Sequence, residues 1–199
     1  MTTELLLAFM AYAFVTSITP GPNNTMLLVS GANFGFGPTV PHLLGVAFGF
    51  SAMVLAVGLG VGSIFVLFPP LHAILRYGGA LYLLYLAWKI ATSGGLGGGD
   101  AAARPMRFLQ AVAFQWINPK AWIMAIGAVA TYTPQNGYFL NIAIVSLIYL
   151  IINAPCIAAW AGFGTVLRGL LRQPLYLRLF NVGMALLLVA SLYPLLMHA

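Results

Sequence analysis

Apolar runs of twenty residues or more, separated by short turns rich in proline or glycine, set the pattern of this chain. Crossing a bilayer as a helix takes roughly 20 apolar residues. Six segments reach or approach that length: residues 5–32, 40–68, 72–91, 108–131, 139–163 and 179–196. The connections carry turn chemistry. "LFPPLH" at 67–72 and "TYTPQNG" at 131–137 contain proline, and "SGGLGGGD" at 93–100 opens a flexible glycine-rich linker. The expected fold is therefore an all-α membrane protein of six spans.

Two of the spans are interrupted. "TSITPGPNNTM", residues 16–26, places Pro20, Gly21, Pro22, Asn23 and Asn24 in the middle of the first. "FQWINPKAW", residues 114–122, places Asn118, Pro119 and Lys120 in the fourth. In hydrocarbon every backbone N–H and C=O must be satisfied, and proline removes a donor while clashing with the preceding turn. A break at this depth is costly unless it serves something. Pro20 and Pro119 lie 99 positions apart, "GVG" at 60–62 recurs as "GFG" at 162–164, and Gly79 has a counterpart in Gly183. Together these suggest one membrane domain, 1–199, built as two three-helix repeats, 1–93 and 104–199, joined by a linker at 94–103. Because three is odd, the repeats would be inverted. Inverted repeats with matched discontinuous helices point to a transport site near the midplane.

Composition agrees. The 199 residues are 62% hydrophobic and 5% charged, with a mean hydropathy of +0.99, too few charges to cover a water-facing domain. The net charge of +6 does not indicate nucleic acid, because eight basic residues spread along the chain form no basic face. Lys89, Arg104 and Arg107 flank the glycine linker, and Arg168, Arg172 and Arg178 fall between the fifth and sixth spans. By the positive-inside rule those two loops are cytoplasmic and both termini external. The first residues contain Glu4 and no Lys or Arg, so a cleaved leader is not expected. Cys156, the only cysteine, excludes an internal disulfide, a CxxC pair and a cysteine zinc cluster.

"TPGPNNTMLLVSGANFGFGPTVPHLLGVAFGF" and "QWINPKAW" closely resemble the LysE/RhtB amino-acid exporters of bacterial inner membranes. The resemblance covers essentially the whole chain. "YLAWKIATS" and "LRQPLYLRLFNVGMALLLV" look most like the branch that exports cysteine and O-acetylserine. It implies efflux of small amino acids or derivatives from the cytoplasm, driven by an ion gradient, with no tightly bound cofactor. Carried onto this chain, the first motif is Thr19, Pro20, Gly21, Pro22, Asn23 and Asn24, and the second is Asn118, Pro119 and Lys120.

The residue types suit such a ligand. A helix restarting after Pro22 offers free N–H groups and a positive dipole end to a carboxylate. Unwound carbonyls around 18–21 can accept from an ammonium, and Asn23, Asn24 and Asn118 add donors and acceptors without charge. The only acids are Glu4 and Asp100, outside the expected spans, so nothing would balance a cationic side chain. Net-neutral substrates should be preferred. Lys120 either holds the carboxylate, changes protonation during transport, or snorkels to an interface. Proton coupling would have to use Lys120, His42, a water path or the substrate. His42 reads as an interfacial histidine. Gln115, Trp116, Trp122 and Asn153 are further pathway candidates. Gly45, Gly49, Ala52, Ala56 and Gly60 form a small-residue stripe for helix packing.

Other classes fit less well. A membrane enzyme would need a metal set or an acid–base pair, and three scattered histidines with no intramembrane acid supply neither. A scaffold has no use for unwound helices. A passive channel is the nearest rival, and the sequence does not specify whether the chain self-associates.

Overall fold

The structure, a computed structural model, describes residues 1–63, 67–68, 70–92 and 104–193. The glycine linker and the last residues of the sixth expected span lie outside the described residues. All regular structure among those described is helical: α1 Thr3–Ile18, α2 Pro22–Phe34, α3 Phe36–Gly58, α4 Pro70–Ala91, α5 Phe108–Gln115, α6 Pro119–Tyr132, α7 Tyr138–Leu167 and α8 Pro174–Ala190, with short 3-10 turns at Val61–Ser63 and Leu170–Arg172.

Proline sets several of the starts. Pro22, Pro119 and Pro174 each occupy the first turn of a helix, where the missing N–H costs nothing and the fixed φ is already helical. The first span is thus α1 and α2, bent by 52° at residues 19–21. The fourth is α5 and α6, interrupted at residues 116–118.

Two helices, α3 and α7, are individually long and apolar enough to cross a membrane, and the bent α1–α2 pair qualifies as a third span. α8, at 17 residues, is apolar but shorter. Arg178, expected in a loop, lies inside α8. Six crossings are therefore matched in part. Leu7, Phe14, Ile123, Leu147, Ile151 and Phe163 all face outward, as they should where the solvent is lipid.

α3 and α7 form the middle of the molecule. α7 packs on α1, α2 and α3, α3 packs on α5 and α6, and α4 and α8 pair at the flank. Ser51 and Ser146 join the central helices reciprocally. Ser51 Oγ donates to the Ser146 carbonyl (2.9 Å) and Ser146 Oγ to the Ser51 carbonyl (2.8 Å). Beside them the Tyr149 ring is enclosed edge-on by Phe9 (5.2 Å) and Phe50 (4.9 Å).

Glycine allows two close crossings. A Cβ at Gly31 would strike the Ala161 carbonyl, and one at Gly164 would strike the Leu28 carbonyl, so α2 and α7 meet backbone to backbone. From the predicted stripe, Gly45 and Gly49 meet α5, while Ala52 and Gly60 are exposed.

Two of the glycine matches behind the repeat do not hold. Gly60 sits in the turn after α3 at φ +107°, whereas Gly162 and Gly164 are inside α7. Gly79 packs on the Ile117 carbonyl, but Gly183 has open space around it. The restart positions correspond better: Pro22 answers Pro119, and Pro20 has no counterpart.

Candidate functional site

The two breaks meet. Between them lies a small cavity, with a water-accessible volume of about 20 Å³, lined by Gly21, Asn23 and Asn24 from the first break and Asn118 and Lys120 from the second. Thr16 and Ser17 close it from α1, and Asn153 from α7. Phe50, Ala121, Met124 and Ile157 supply an apolar wall. That volume admits about one water.

The carbonyls freed at the first break, those of residues 17–20, all have partners. Asn24, buried at N3 of α2, donates from Nδ2 to the carbonyls of Ser17 and Thr19, both at 2.8 Å. Trp160 Nε1 donates to the Ile18 carbonyl at 3.0 Å. Lys120 Nζ reaches over from α6 to the Thr19 carbonyl (2.8 Å), Thr19 Oγ1 (3.0 Å) and the Pro20 carbonyl (3.2 Å). Its chain lies across Gly21, where a Cβ would come within 2.6 Å of Lys120 Cδ. Glycine is needed there for close approach and not for backbone strain, since its φ of 176° is extended.

The second break is built similarly. Asn118 is extended (φ −83°, ψ 110°), as a residue before proline prefers to be. Its Oδ1 caps α6 by accepting from the Lys120 N–H at 3.1 Å. Gln115, the last residue of α5, is fully buried and pairs with Asn23: Asn23 Nδ2 donates to Gln115 Oε1 (2.8 Å) and Gln115 Nε2 to Asn23 Oδ1 (3.2 Å). The residue after each restarting proline thus reaches the opposite break.

Several expectations change. Asn24 was expected to offer its amide to a ligand, but its N–H donors are committed to the break and only Oδ1 remains for the cavity. Gln115 stands behind Asn23 and does not line the cavity. Trp116 and Trp122 pack on each other at 5.9 Å, with Trp122 Nε1 donating to the Trp116 carbonyl at 2.9 Å. Neither lines the cavity. Thr19 and Pro20 are exposed and contribute through their carbonyls, and Pro22 and Pro119 act by starting helices. His42 is buried on α3 and does not line the cavity, and both its ring nitrogens lack a partner among the described residues.

Thr16, Ser17, Phe50, Met124 and Ile157 were missed. Ser17 stands out, because its buried Oγ has no partner among the described residues and faces the cavity. The signal available was position: Ser17 is one turn ahead of the prolines. Asn153, also buried, brings its amide to the same cavity. The lining contains one cation and no carboxylate.

The model of the LysE type translocator family matches residues 14–192. The chain belongs to that family. LysE type translocators are transporters, and this chain is accordingly not an enzyme. It is 36% identical over 191 residues to the cysteine/O-acetylserine efflux protein of Escherichia coli (strain K12), covering 95% of this chain and 96% of that one. The cysteine/O-acetylserine efflux proteins of Shigella sonnei (strain Ss046) and Shigella flexneri match it equally well. No solved structure matches the chain. In this LysE type translocator the cavity is where the two interrupted motifs, residues 16–26 and 114–122, converge.

Proposed function

We propose that this LysE type translocator is a secondary exporter of small net-neutral amino acids or their derivatives, cysteine and O-acetylserine among them, across a bacterial inner membrane. One observation carries the reading. The two helix breaks enclose a polar cavity that holds a single cation, amide and hydroxyl groups, and no carboxylate. Such a site suits a zwitterion and would leave a second cationic side chain unbalanced. The similarity to the cysteine/O-acetylserine efflux proteins of E. coli and Shigella supports the substrate class. A cavity with room for about one water favours a gated carrier over an open channel.

The working geometry is an inverted repeat. Its support is the reciprocal Ser51–Ser146 pair, the equal three-residue breaks, and the cross-reach of Asn23 and Lys120. The halves would rock about α3 and α7 around the site. Orientation follows the basic residues. Arg168 lies near Gly35, and Phe108 beside Arg107 packs on Gly45, toward one end. At the other, Tyr138 OH donates to the Gly58 carbonyl and the Met1 amine to Asn141 Oδ1. The basic end would be cytoplasmic. A proton gradient is the proposed coupling.

Proteoliposomes loaded with labelled O-acetylserine, serine or lysine test the reading. The neutral compounds should leave in a saturable, protein-dependent way, faster under a pH gradient, and lysine should lag by at least about tenfold. Equal lysine efflux would overturn the charge argument, and gradient-independent flux of all solutes would favour the channel.

A further inference from the structure

We propose that the oxygens at the first break form a seat for a primary ammonium, and that Lys120 fills it as a tethered stand-in until the substrate's own α-ammonium displaces it. The inference deepens the exporter reading and rests on it for the substrate, but the seat itself is read from geometry.

Lys120 Nζ has three acceptors, the Thr19 carbonyl, Thr19 Oγ1 and the Pro20 carbonyl, at 2.8, 3.0 and 3.2 Å. An ammonium carries three N–H donors and no acceptor, so the count is met in full. No carboxylate among the cavity residues shares the cation. What balances it is the end of α1, whose last carbonyls carry the negative end of the helix dipole. Any group with a primary ammonium fits these oxygens, and a quaternary or acylated nitrogen does not.

The neighbouring groups complete a zwitterion site. One residue beyond the seat, α2 begins, and the N–H groups of Asn23 and Asn24 have no hydrogen-bond partner among the described residues. Ser17 adds its unpartnered, buried hydroxyl to the same cavity. An amino acid whose ammonium takes the seat places its carboxylate toward these donors, and the displaced Lys120 ammonium can follow the carboxylate. The charge in the site is then the same before and after binding. Gly21 keeps the path clear, since a Cβ there would press on Lys120 Cδ and Nζ at 2.6 and 3.1 Å. One consequence is isomer selection: O-acetylserine retains a free ammonium and should be accepted, whereas N-acetylserine should be refused.

The test is to empty the seat and offer it a free amine. In Lys120→Ala, n-butylammonium should raise the melting temperature of the purified protein saturably, by roughly 3–6 °C at ten times its Kd. Tetramethylammonium should do nothing, and wild type, where Lys120 must first be displaced, should need a markedly higher n-butylammonium concentration for the same rise. Lys120→Met, which keeps the chain volume, should respond to methylammonium and serves if the alanine variant does not fold. Absence of a primary-amine response in a folded variant, or an equal response to tetramethylammonium, overturns the seat. If neither variant folds, wild-type proteoliposomes decide: n-butylammonium must compete with labelled O-acetylserine, and N-acetylserine must not. Lack of competition there overturns the seat, while absence of O-acetylserine efflux itself counts against the exporter reading and leaves the melting result to judge the seat.

Discussion

Asn24 shows how a residue can matter for a reason other than the one its motif suggests. Its amide bridges two carbonyls that no longer have helical partners, Ser17 and Thr19. Without that amide the Thr19 carbonyl keeps Lys120, but the buried Ser17 carbonyl loses its donor, which costs about 1–3 kcal/mol. Asn24→Ala should therefore lower the melting temperature of the purified protein as well as its transport rate, where a pure ligand contact would spare stability. Asn23 and Gln115 form a closer unit. A double-mutant cycle on Asn23→Ala and Gln115→Ala, read by melting, should show a coupling of about 0.5–3 kcal/mol, because Gln115→Ala leaves the Asn23 amide without its partner and Asn23→Ala leaves Gln115 Oε1 without its donor, while Gln115 Nε2 keeps the Ala111 carbonyl. Strict additivity would mean that the pair contributes nothing.

The motif residues were visible in the sequence because proline and asparagine are out of place in an apolar run. Their individual jobs were not visible, since those depend on what reaches them from 92 to 142 positions away: Gln115 to Asn23, Lys120 to Thr19, and Trp160 to Ile18. The apolar wall was invisible for the opposite reason. Phe50, Met124 and Ile157 look like every other membrane residue, and only packing aims them at the cavity.

At the scale of elements, the breaks and the glycine crossings are separate devices. Both prolines of the first break contribute to it. Pro22 starts α2, but Pro20 still lacks its N–H and still clashes with the turn before it, so Pro22→Ala alone should not restore a continuous helix. Pro20→Ala/Pro22→Ala should relieve the break, and its efflux rate should fall more than that of either single variant. The glycines divide just as clearly. Gly164 touches the Leu28 carbonyl, and Gly162 touches nothing within 4 Å. Gly164→Ala forces α2 and α7 apart and should cost about 1–3 kcal/mol, whereas Gly162→Ala should be neutral or slightly stabilising through helix propensity. Comparable melting temperatures for the two variants would show that the α2–α7 approach is looser than described. In the sequence "GFG" was legible only as a match to "GVG", and nothing in it marked Gly164 as the glycine that packs.

For the whole molecule, the pattern of long apolar runs with two polar interruptions was enough to foresee a helical membrane transporter, and the family match agrees. What the pattern could not supply was the meeting of the interruptions, which depends on α3 and α7 bringing residues 16–24 and 118–124 to one place. That meeting is the central claim, and substrate protection tests it most directly. In a Cys156→Ala background, Met124→Cys places a thiol on the cavity wall, and Ile123→Cys places one on the exposed outer face of the same helix. With each variant in proteoliposomes, the rate of modification by a small thiol reagent would be measured with and without saturating O-acetylserine. The account predicts that substrate slows modification at position 124 by about tenfold or more and leaves position 123 unchanged. Modification at position 124 that proceeds at the same rate with substrate present, while the variant still transports, would contradict a binding site between the two breaks.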